Sequence, residues 1–81
     1  MHAKVYVSLK KTVLDPQGQT IHQALSGMGY AGVEGVRQGK FFRLTLSDGL
    51  TRVQARAEVE RLARDVLTNP VIEEYSFEMK E

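Results

Sequence analysis

Strict alternation of apolar and polar residues at both ends of the chain is the feature that most constrains its fold. In the first ten residues, alternate positions are apolar: Met1, Ala3, Val5, Val7 and Leu9. Residues 72–79 repeat the pattern, with Tyr75, Phe77 and Met79 on one face and Ile72, Glu74, Ser76 and Glu78 on the other. Because successive strand side chains point to opposite faces, both segments are predicted strands with one buried face.

Two segments between these strands follow a helical period instead. The first begins at Asp15-Pro16, an N-cap followed by proline at the first helical position, and Gly29 supplies a C-terminal stop. Its apolar positions fall on one stripe: Ile21, Ala24, Leu25 and Met28. Gly18 and Gly27 weaken this helix by roughly 0.5–1 kcal/mol each relative to alanine, so packing must hold it.

The second helix is predicted from Thr51, because Thr51 and Gln54 match the capping-box pattern. Asn69-Pro70 ends the element. The predicted buried stripe is Ala55, Val59, Leu62, Ala63, Val66 and Leu67.

Residues 33–47 are extended, and their division is open. Phe42, Leu44 and Leu46 share one phase with Val36, which suits a single long strand. Alternatively, residues 38–40 form a turn between two shorter strands. We favour two strands, or one strand sharply bent near Gly39.

The order strand, helix, one or two strands, helix, strand predicts a single α+β domain over residues 1–81. We expect a two-layer sandwich, a ferredoxin-like antiparallel sheet with both helices on one face. The opposite face would carry Lys4, Tyr6, Ser8, Phe41, Arg43, Thr45, Ile72, Glu74 and Glu78. A domain this short buries only about 60–65% of the surface that its unfolded chain exposes, so association with partners is expected.

Composition removes several functional classes. The chain has no cysteine, which excludes disulfides and thiolate chemistry. Eleven basic and ten acidic residues give a net charge of +1, too little bias for a dedicated nucleic-acid binder. No apolar run is long enough for a membrane span or a signal peptide, so we expect a cytoplasmic protein.

Few residues could carry catalysis. His2 and His22 are the two histidines, and without a matching carboxylate pair they form no recognisable metal site. Glu73 and Glu74 are neighbours on a strand, face opposite sides, and are expected to pair across strands with Lys4 or Lys10. The glycine-rich residues 27–32 follow a helix, whereas phosphate-binding loops precede one. We therefore expect no active site, bound cofactor or metal in this chain.

Three stretches in a fixed order resemble a known family. They are residues 4–10, KVYVSLK, running into residues 13–18, VLDPQG; residues 36–40, VRQGK; and residues 69–75, NPVIEEY. With a predicted helix between each stretch and the next, the chain is similar over its whole length to the PurS family, the small subunit of phosphoribosylformylglycinamidine synthase. It departs from the family pattern between residues 43 and 68, where family members are often more acidic after the central strand.

The resemblance implies a non-catalytic subunit in de novo purine biosynthesis. Such a subunit is thought to dimerise and to bridge a glutaminase subunit and a large ATP-dependent synthetase subunit, assisting ammonia transfer between them. The ATP, magnesium and glutamine that the complex uses would be bound outside this chain. Self-association is expected through Tyr6, Phe41 and Ile72, while Arg37, Lys40, Asn69 and Pro70, with Tyr6 and Phe41, are candidate contacts with the larger subunits.

Two other functional classes remain open. One is a regulatory domain of ferredoxin-like fold that binds a small metabolite, for which residues 29–35 would form the pocket. The other is an RNA-binding module that would stack bases on Phe41, with Tyr6 as a second platform. The adjacent aromatic residues Phe41 and Phe42 face opposite sides of a strand, which weakens the RNA-binding interpretation.

Overall fold

A three-stranded antiparallel sheet forms the centre of the molecule. The computed structural model describes residues 1–80. Its elements are β1 (His2–Leu9), α1 (Pro16–Gly27), β2 (Gly39–Thr45), α2 (Arg52–Leu62), which continues as a π-helical turn (Ala63–Leu67), and β3 (Glu73–Lys80). The strand order is β2-β1-β3, with both pairs antiparallel. The predicted β-α-β-α-β order and antiparallel sheet are confirmed.

The register of the central strand β1 separates two faces of the sheet. Val5 lies opposite Phe42 on β2 and Phe77 on β3, and these side chains point towards the core. Tyr6 lies opposite Phe41 and Ser76 on the other face. We call this second face the open face, since the helical residues of the core cluster, Val59 and Ala63, pack on the opposite face. The strand residues that were predicted for this face lie on it: Lys4, Tyr6, Ser8, Phe41, Arg43, Thr45, Glu74 and Glu78. Ile72 precedes β3.

Residues 33–47 contain one strand, which begins at Gly39, so the preference for two strands or one bent strand is wrong. The residue before this strand, Gln38, forms a hydrogen bond outside the sheet. The Gln38 N–H donates to the Asp15 carboxylate, 2.7 Å from nitrogen to oxygen. At Gly39 the Val7 carbonyl oxygen would lie 2.6 Å from any β-carbon, so only glycine allows the strand to start this close to β1. Val36 therefore lies outside the strand although it is in phase with Phe42 and Leu44, because the hydrogen bond of Gln38 holds this segment away from the sheet.

Helix α2 supplies the helical half of the core. Val59 and Ala63 pack with Val5 and Val7, and all are fully or almost fully buried. The capping box is present, because Gln54 N–H donates to Thr51 Oγ1 at 3.1 Å and Thr51 N–H donates to Gln54 Oε1 at 3.0 Å. The predicted burial of Val66 is wrong, since its residue surface is 74% exposed. The π-helical turn adds a residue to the turn and rotates this position outward.

Helix α1 differs from α2 in how it packs. It begins and ends as predicted, with Asp15 as N-cap and Gly29 at a positive φ of 96° just past its end. However, no residue of α1 belongs to the core cluster, and its only buried residue is Gly18. The expectation that both helices cover the sheet therefore holds for α2, whereas α1 makes few contacts with the sheet. The molecule is correspondingly elongated, about 51 × 26 × 13 Å.

Candidate interaction surfaces

The six predicted contact residues fall into two groups. Arg37, Lys40, Asn69 and Pro70 lie near the end of the sheet where β1 finishes, whereas Tyr6 and Phe41 lie side by side on the open face. Their local bonding separates residues that the fold itself uses from residues that it leaves available.

Arg37 braces the fold. Its Nη2 atom donates to the carbonyl oxygens of Lys10, at 2.8 Å, and Val13, at 2.9 Å. One guanidinium thus satisfies two main-chain acceptors in the loop between β1 and α1 and ties that loop to the segment before β2. No local pattern indicated that the fold needs Arg37, whereas the structure shows that it does.

Asp15 is a buried residue at the same junction, and its tertiary role was missed in the sequence. Its Oδ1 accepts the Gly18 N–H at 2.9 Å, the predicted capping bond, while Oδ2 accepts the Gln38 N–H from 23 residues away. The Gln38 bond first and the Gly18 bond second lower the pKa of this carboxyl from its ordinary value of 3.8, and the Arg37 charge lowers it further. The carboxylate therefore joins the start of α1 to the start of β2.

Lys40 and Asn69 are linked through Glu73. The Lys40 ammonium lies 3.3 Å from Glu73 Oε2, and Glu73 Oε1 accepts the Asn69 N–H at 2.8 Å. The Asn69 bond first, then Lys40, lowers the pKa of Glu73 from its ordinary 4.5. The expected partner of Glu73, Lys4 or Lys10, is therefore wrong, because Glu73 pairs with Lys40 on β2.

Asn69 and Pro70 form the turn that enters β3. Asn69 Oδ1 accepts the Val71 N–H at 3.1 Å, and the Asn69 carbonyl accepts the N–H groups of Ile72 and Glu73. A side-chain amide that bonds the main chain two residues ahead is a common way of forming such turns. The fold thus uses the side-chain oxygen and main chain of Asn69 to form the turn, and both Asn69 and Pro70 are exposed.

Tyr6 and Phe41 form an exposed aromatic pair at the centre of the open face. Their ring centroids are 5.4 Å apart with planes tilted by 44°, and the Arg43 guanidinium carbon lies 5.8 Å from the Phe41 centroid. Phe41 is 48% exposed and Tyr6 is 37% exposed. Ile72, at the edge of this region, is also exposed. We call Tyr6, Phe41 and Arg43 the aromatic patch.

The surroundings of the aromatic patch carry both charges. Lys4 lies opposite Arg43 on β2 and Glu78 on β3, and the Tyr6 hydroxyl donates to Glu78 at 3.5 Å. Glu74 lies opposite Ser8. The negatively charged backbone of an RNA bound to this face would lie near Glu74 and Glu78, which disfavours the RNA-binding interpretation. A protein surface of mixed charge could complement the charges of this face.

The residues considered for chemistry are not brought together. His22 Nε2 donates to the Val33 carbonyl at 2.9 Å and joins α1 to the following loop. Within residues 1–80 no three potential metal-ligating side chains of His, Cys, Asp or Glu cluster. The cavity that touches the predicted metabolite segment at Gly35 encloses about 220 Å³, below the roughly 300–1,000 Å³ of typical ligand pockets. No described helix is long and apolar enough to cross a bilayer.

One exposed surface was not predicted. Along α1 and its flanks, several large apolar side chains are exposed: Leu14, Ile21, Met28 and Tyr30. We call Ile21, Ala24, Leu25 and Met28 the α1 stripe. The sequence did contain a signal, because Pro16–Gly27 has no Asp, Glu, Lys or Arg, unlike a typical solvated helix.

Comparison with known proteins places the whole chain in one family. The family model described as PurS, phosphoribosylformylglycinamidine (FGAM) synthase, matches residues 2–81. The phosphoribosylformylglycinamidine synthase subunit PurS of Bacillus subtilis (strain 168) is 42% identical over 78 residues, which cover 96% of this chain and 90% of the relative.

Solved structures agree with the sequence comparisons. Methanocaldococcus jannaschii PurS, described as one of the subunits of formylglycinamide ribonucleotide amidotransferase in the purine biosynthetic pathway, superposes with a TM-score of 0.85 at 32% identity, covering 99% of this chain and 95% of that one. A chain of PurLQS from Thermotoga maritima superposes with a TM-score of 0.82 at 29% identity, with 96% of each chain covered. This chain therefore belongs to the PurS family.

Proposed function

We propose that this chain is a non-catalytic subunit of phosphoribosylformylglycinamidine synthase in purine biosynthesis. In this proposal it bridges a glutaminase subunit and an ATP-dependent synthetase subunit and assists the transfer of ammonia between them. The observation that carries the proposal is the match to the PurS family over residues 2–81. The similarity to a chain of the PurLQS structure supports assembly into a complex of that kind.

The physical advantage of such a subunit lies in geometry. Ammonia in neutral water is mostly ammonium, which is a poor nucleophile and diffuses away. Two active sites held in register, with water excluded between them, keep the nucleophile neutral and close to its acceptor. A small rigid sheet can hold two larger proteins in place without contributing catalytic groups.

The aromatic patch is the surface best suited to a larger subunit. Aromatic residues and arginine carry much of the energy of protein interfaces, because they bury a large area at low entropic cost. Tyr6 and Phe41 are already packed together and held on a rigid sheet. Lys40 and the exposed Pro70 are separate candidate contacts near the end of the sheet, because Lys40 faces the core side with Glu73 and does not join the aromatic patch. Arg37 and Asn69 serve the fold first.

The rest of the proposed function follows from the same family. The ATP, magnesium and glutamine of the reaction would be bound by the larger subunits, and the complex would work in the cytoplasm. We also propose that the chain self-associates, because an 81-residue domain buries little of its apolar surface by itself and this one exposes apolar side chains on α1 and on the open face.

Reconstitution of the complex with variants of the aromatic patch tests the bridging role. We expect Phe41→Ala to lower glutamine-dependent activity roughly tenfold at subsaturating concentrations of this subunit, the effect of about 1.4 kcal/mol of lost binding. Ammonia-dependent activity of the synthetase should persist, because that reaction does not need the bridge. Thr45→Ala is the matched control, since Thr45 lies on the same strand and face, two positions beyond Arg43.

Folding must be measured beside activity. Phe41 is exposed, so its replacement should leave the melting midpoint close to that of the wild type. If glutamine-dependent activity with Phe41→Ala equals that with wild-type chain, the aromatic patch does not contact the larger subunits. If the complex without this chain uses glutamine at the full rate, the bridging role itself is wrong.

A further inference from the structure

A cavity with a positively charged lining lies at the end of the sheet where β1 begins and α2 starts. It encloses about 220 Å³, and we call it the cationic cavity; its lining residues are Met1, Arg52, Arg56, Met79 and Lys80. Three of the five carry a positive charge, and among residues 1–80 no acidic side chain lines it. The whole chain has a net charge of only +1, so positive charge is concentrated here. Such a cavity favours a negatively charged occupant.

The stability of helix α2 does not explain where its first two arginines lie. Arg52 is the first residue of the helix and Arg56 follows one turn later, while the acids Glu58 and Glu60 come in the second half. The helix dipole favours the reverse order, with acids at the start, and like charges four residues apart repel each other. Because local helix energetics oppose this arrangement, we infer that the two arginines serve a contact outside the helix.

The other two arginines of this segment provide a contrast. Arg61 lies in the last turn of α2, where the helix dipole favours a cation. Arg64, in the π-helical turn, donates from Nε to Asp65 Oδ1 at 2.9 Å. The local fold thus accounts for Arg61 and Arg64, which makes this pair a matched control for the arginines at the cationic cavity.

Arg56 is held in position at the cavity without using its hydrogen-bond donors. Its guanidinium carbon lies 5.3 Å from the ring centroid of Phe77, a β3 residue that packs against the core. A contact with the face of a ring leaves the N–H groups of the guanidinium available. Within residues 1–80, no carboxylate forms an ion pair with Arg56 or Lys80. A planar guanidinium placed in this way matches the two oxygens of a carboxylate.

We propose that the cationic cavity binds an acidic side chain of a larger subunit, with the carboxylate between Arg56 and Lys80 and its methylene groups against Met1 and Met79. Methionine side chains are flexible and adapt to the shape of a partner. The volume of about 220 Å³ is below the roughly 300–1,000 Å³ of typical ligand pockets, which favours a single side chain over a nucleotide.

A second contact surface fits the bridging role. The aromatic patch lies on the open face, whereas Met79 and Phe77 beside the cationic cavity belong to the core side of the sheet. A subunit that bridges two larger proteins needs two separate surfaces, and these two differ in place and in chemistry. This inference rests on the proposed function, because it takes the larger subunits of the synthase complex as the source of the acidic side chain.

Carbodiimide cross-linking of the reconstituted complex tests the contact directly. This reagent joins a lysine amine to a carboxylate without a spacer, so it reports groups that touch. We expect peptide mass spectrometry to find Lys80 linked to an aspartate or glutamate of a larger subunit. Lys80→Arg is the control, because arginine keeps the charge but lacks the amine, and this cross-link should disappear while those of the other lysines remain.

Binding at two salt concentrations tests the charge. Arg56→Gln combined with Lys80→Gln should raise the dissociation constant for the larger subunits about tenfold in about 50 mM salt, and the difference should shrink in about 500 mM salt. Lys80→Gln alone leaves the Phe77 contact of Arg56 intact and should show a smaller effect of the same kind. Arg61→Gln combined with Arg64→Gln removes the same charge and should stay within about twofold of the wild type.

The outcomes separate this contact from the bridging role. If the wild-type chain supports glutamine-dependent activity but Lys80 forms no cross-link, or if both double variants bind alike, the cationic cavity does not hold an acidic side chain and the bridging role stands. Saturable binding of inorganic phosphate to the isolated chain, without a Lys80 cross-link in the complex, would assign the cavity to a small anion and overturn the inference. If the wild-type chain neither binds the larger subunits nor supports glutamine-dependent activity, the proposed function and this inference are both wrong.

Discussion

Both helices of this chain have an apolar stripe of helical period, but α2 buries residues of its stripe in the core and α1 does not. Helix α2 buries Ala55, Val59 and, in its π-helical continuation, Ala63 against the sheet. Helix α1 buries one glycine, leaves Ile21, Ala24 and Met28 exposed, and half-buries Leu25. A helical stripe therefore predicts an apolar face but does not predict whether the same chain covers that face.

The forces that hold the two helices also differ. Helix α2 has a local capping box and a share in the core. Helix α1 is held mainly by polar contacts with the segment before β2: Asp15 with Gln38, and His22 with Val33. Gly18 lets that segment approach, since a β-carbon there would overlap the Val36 carbonyl oxygen. Three variant pairs test this contrast.

The largest expected difference comes from a charge placed on each helix. Val59→Glu would bury an unpaired carboxylate at a position with no exposed surface. We expect a loss of more than about 4 kcal/mol, comparable to the whole stability of roughly 4–12 kcal/mol for a domain this size. Ile21→Glu should keep a cooperative thermal transition by circular dichroism. If both variants unfold, α1 belongs to the same core as α2.

The glycines of α1 should respond in opposite directions. Gly18→Ala should destabilise the fold by roughly 1–3 kcal/mol, because the obstructing Val36 oxygen is main chain and cannot move aside easily. Gly27→Ala meets nothing within 4 Å and should stabilise the helix by about 0.5–1 kcal/mol. Urea unfolding of both variants measures the two changes. A neutral Gly18→Ala would show that residues 36–38 are not held against α1.

The two N-caps should differ by a smaller amount. Asp15→Ala removes both the capping bond and the bond to Gln38, and we expect the melting midpoint to fall by roughly 8 °C. Thr51→Ala removes only the local box and should lower it by roughly 4 °C. Equal shifts would mean that the long-range bond of Asp15 adds nothing to its cap.

Acid titration gives Asp15 an independent readout. Hydrogen bonds from Gln38 and Gly18 lower the pKa of this carboxyl in the folded chain. Its contribution to stability is therefore present above the ordinary value of 3.8 and lost as the pH falls through the lowered folded pKa. Melting from pH 6 to pH 2.5 should fall less steeply for Asp15→Asn than for the wild type. Glu34→Gln, at an exposed loop position, is the control and should follow the wild-type curve.

Much of the architecture could be predicted from local patterns. The Asp15 and Thr51 caps, the stop at Gly29 and the two alternating terminal strands all appear where the sequence indicates them. The open-face position of Tyr6 and Phe41 follows from alternation as well. The single strand in residues 39–45 was not predicted, because its start depends on a bond between Gln38 and a residue far earlier in the chain.

For the candidate contact residues, too, the sequence predicted some properties and not others. Residue type suggested that Arg37 and Asn69 were available to partners, yet both are engaged with main-chain groups. Phe41 is exposed as expected. Hydrogen-bond partners of long polar side chains depend on which loops meet in space, and the sequence does not encode that in any local period.

The helices and strands, their caps, the two faces of the sheet and the family could be predicted from residue order alone, because each depends on a few neighbouring positions or on a match along the whole chain. The packing of α1 away from the core, the bonds by which Asp15 and Arg37 join the start of α1 to the segment before β2, and the partial exposure of Phe42 and Leu44 depend on the three-dimensional fold. The physical reason is that periodicity sets which side chains avoid water, whereas the geometry of the connecting segments sets which surface they can reach.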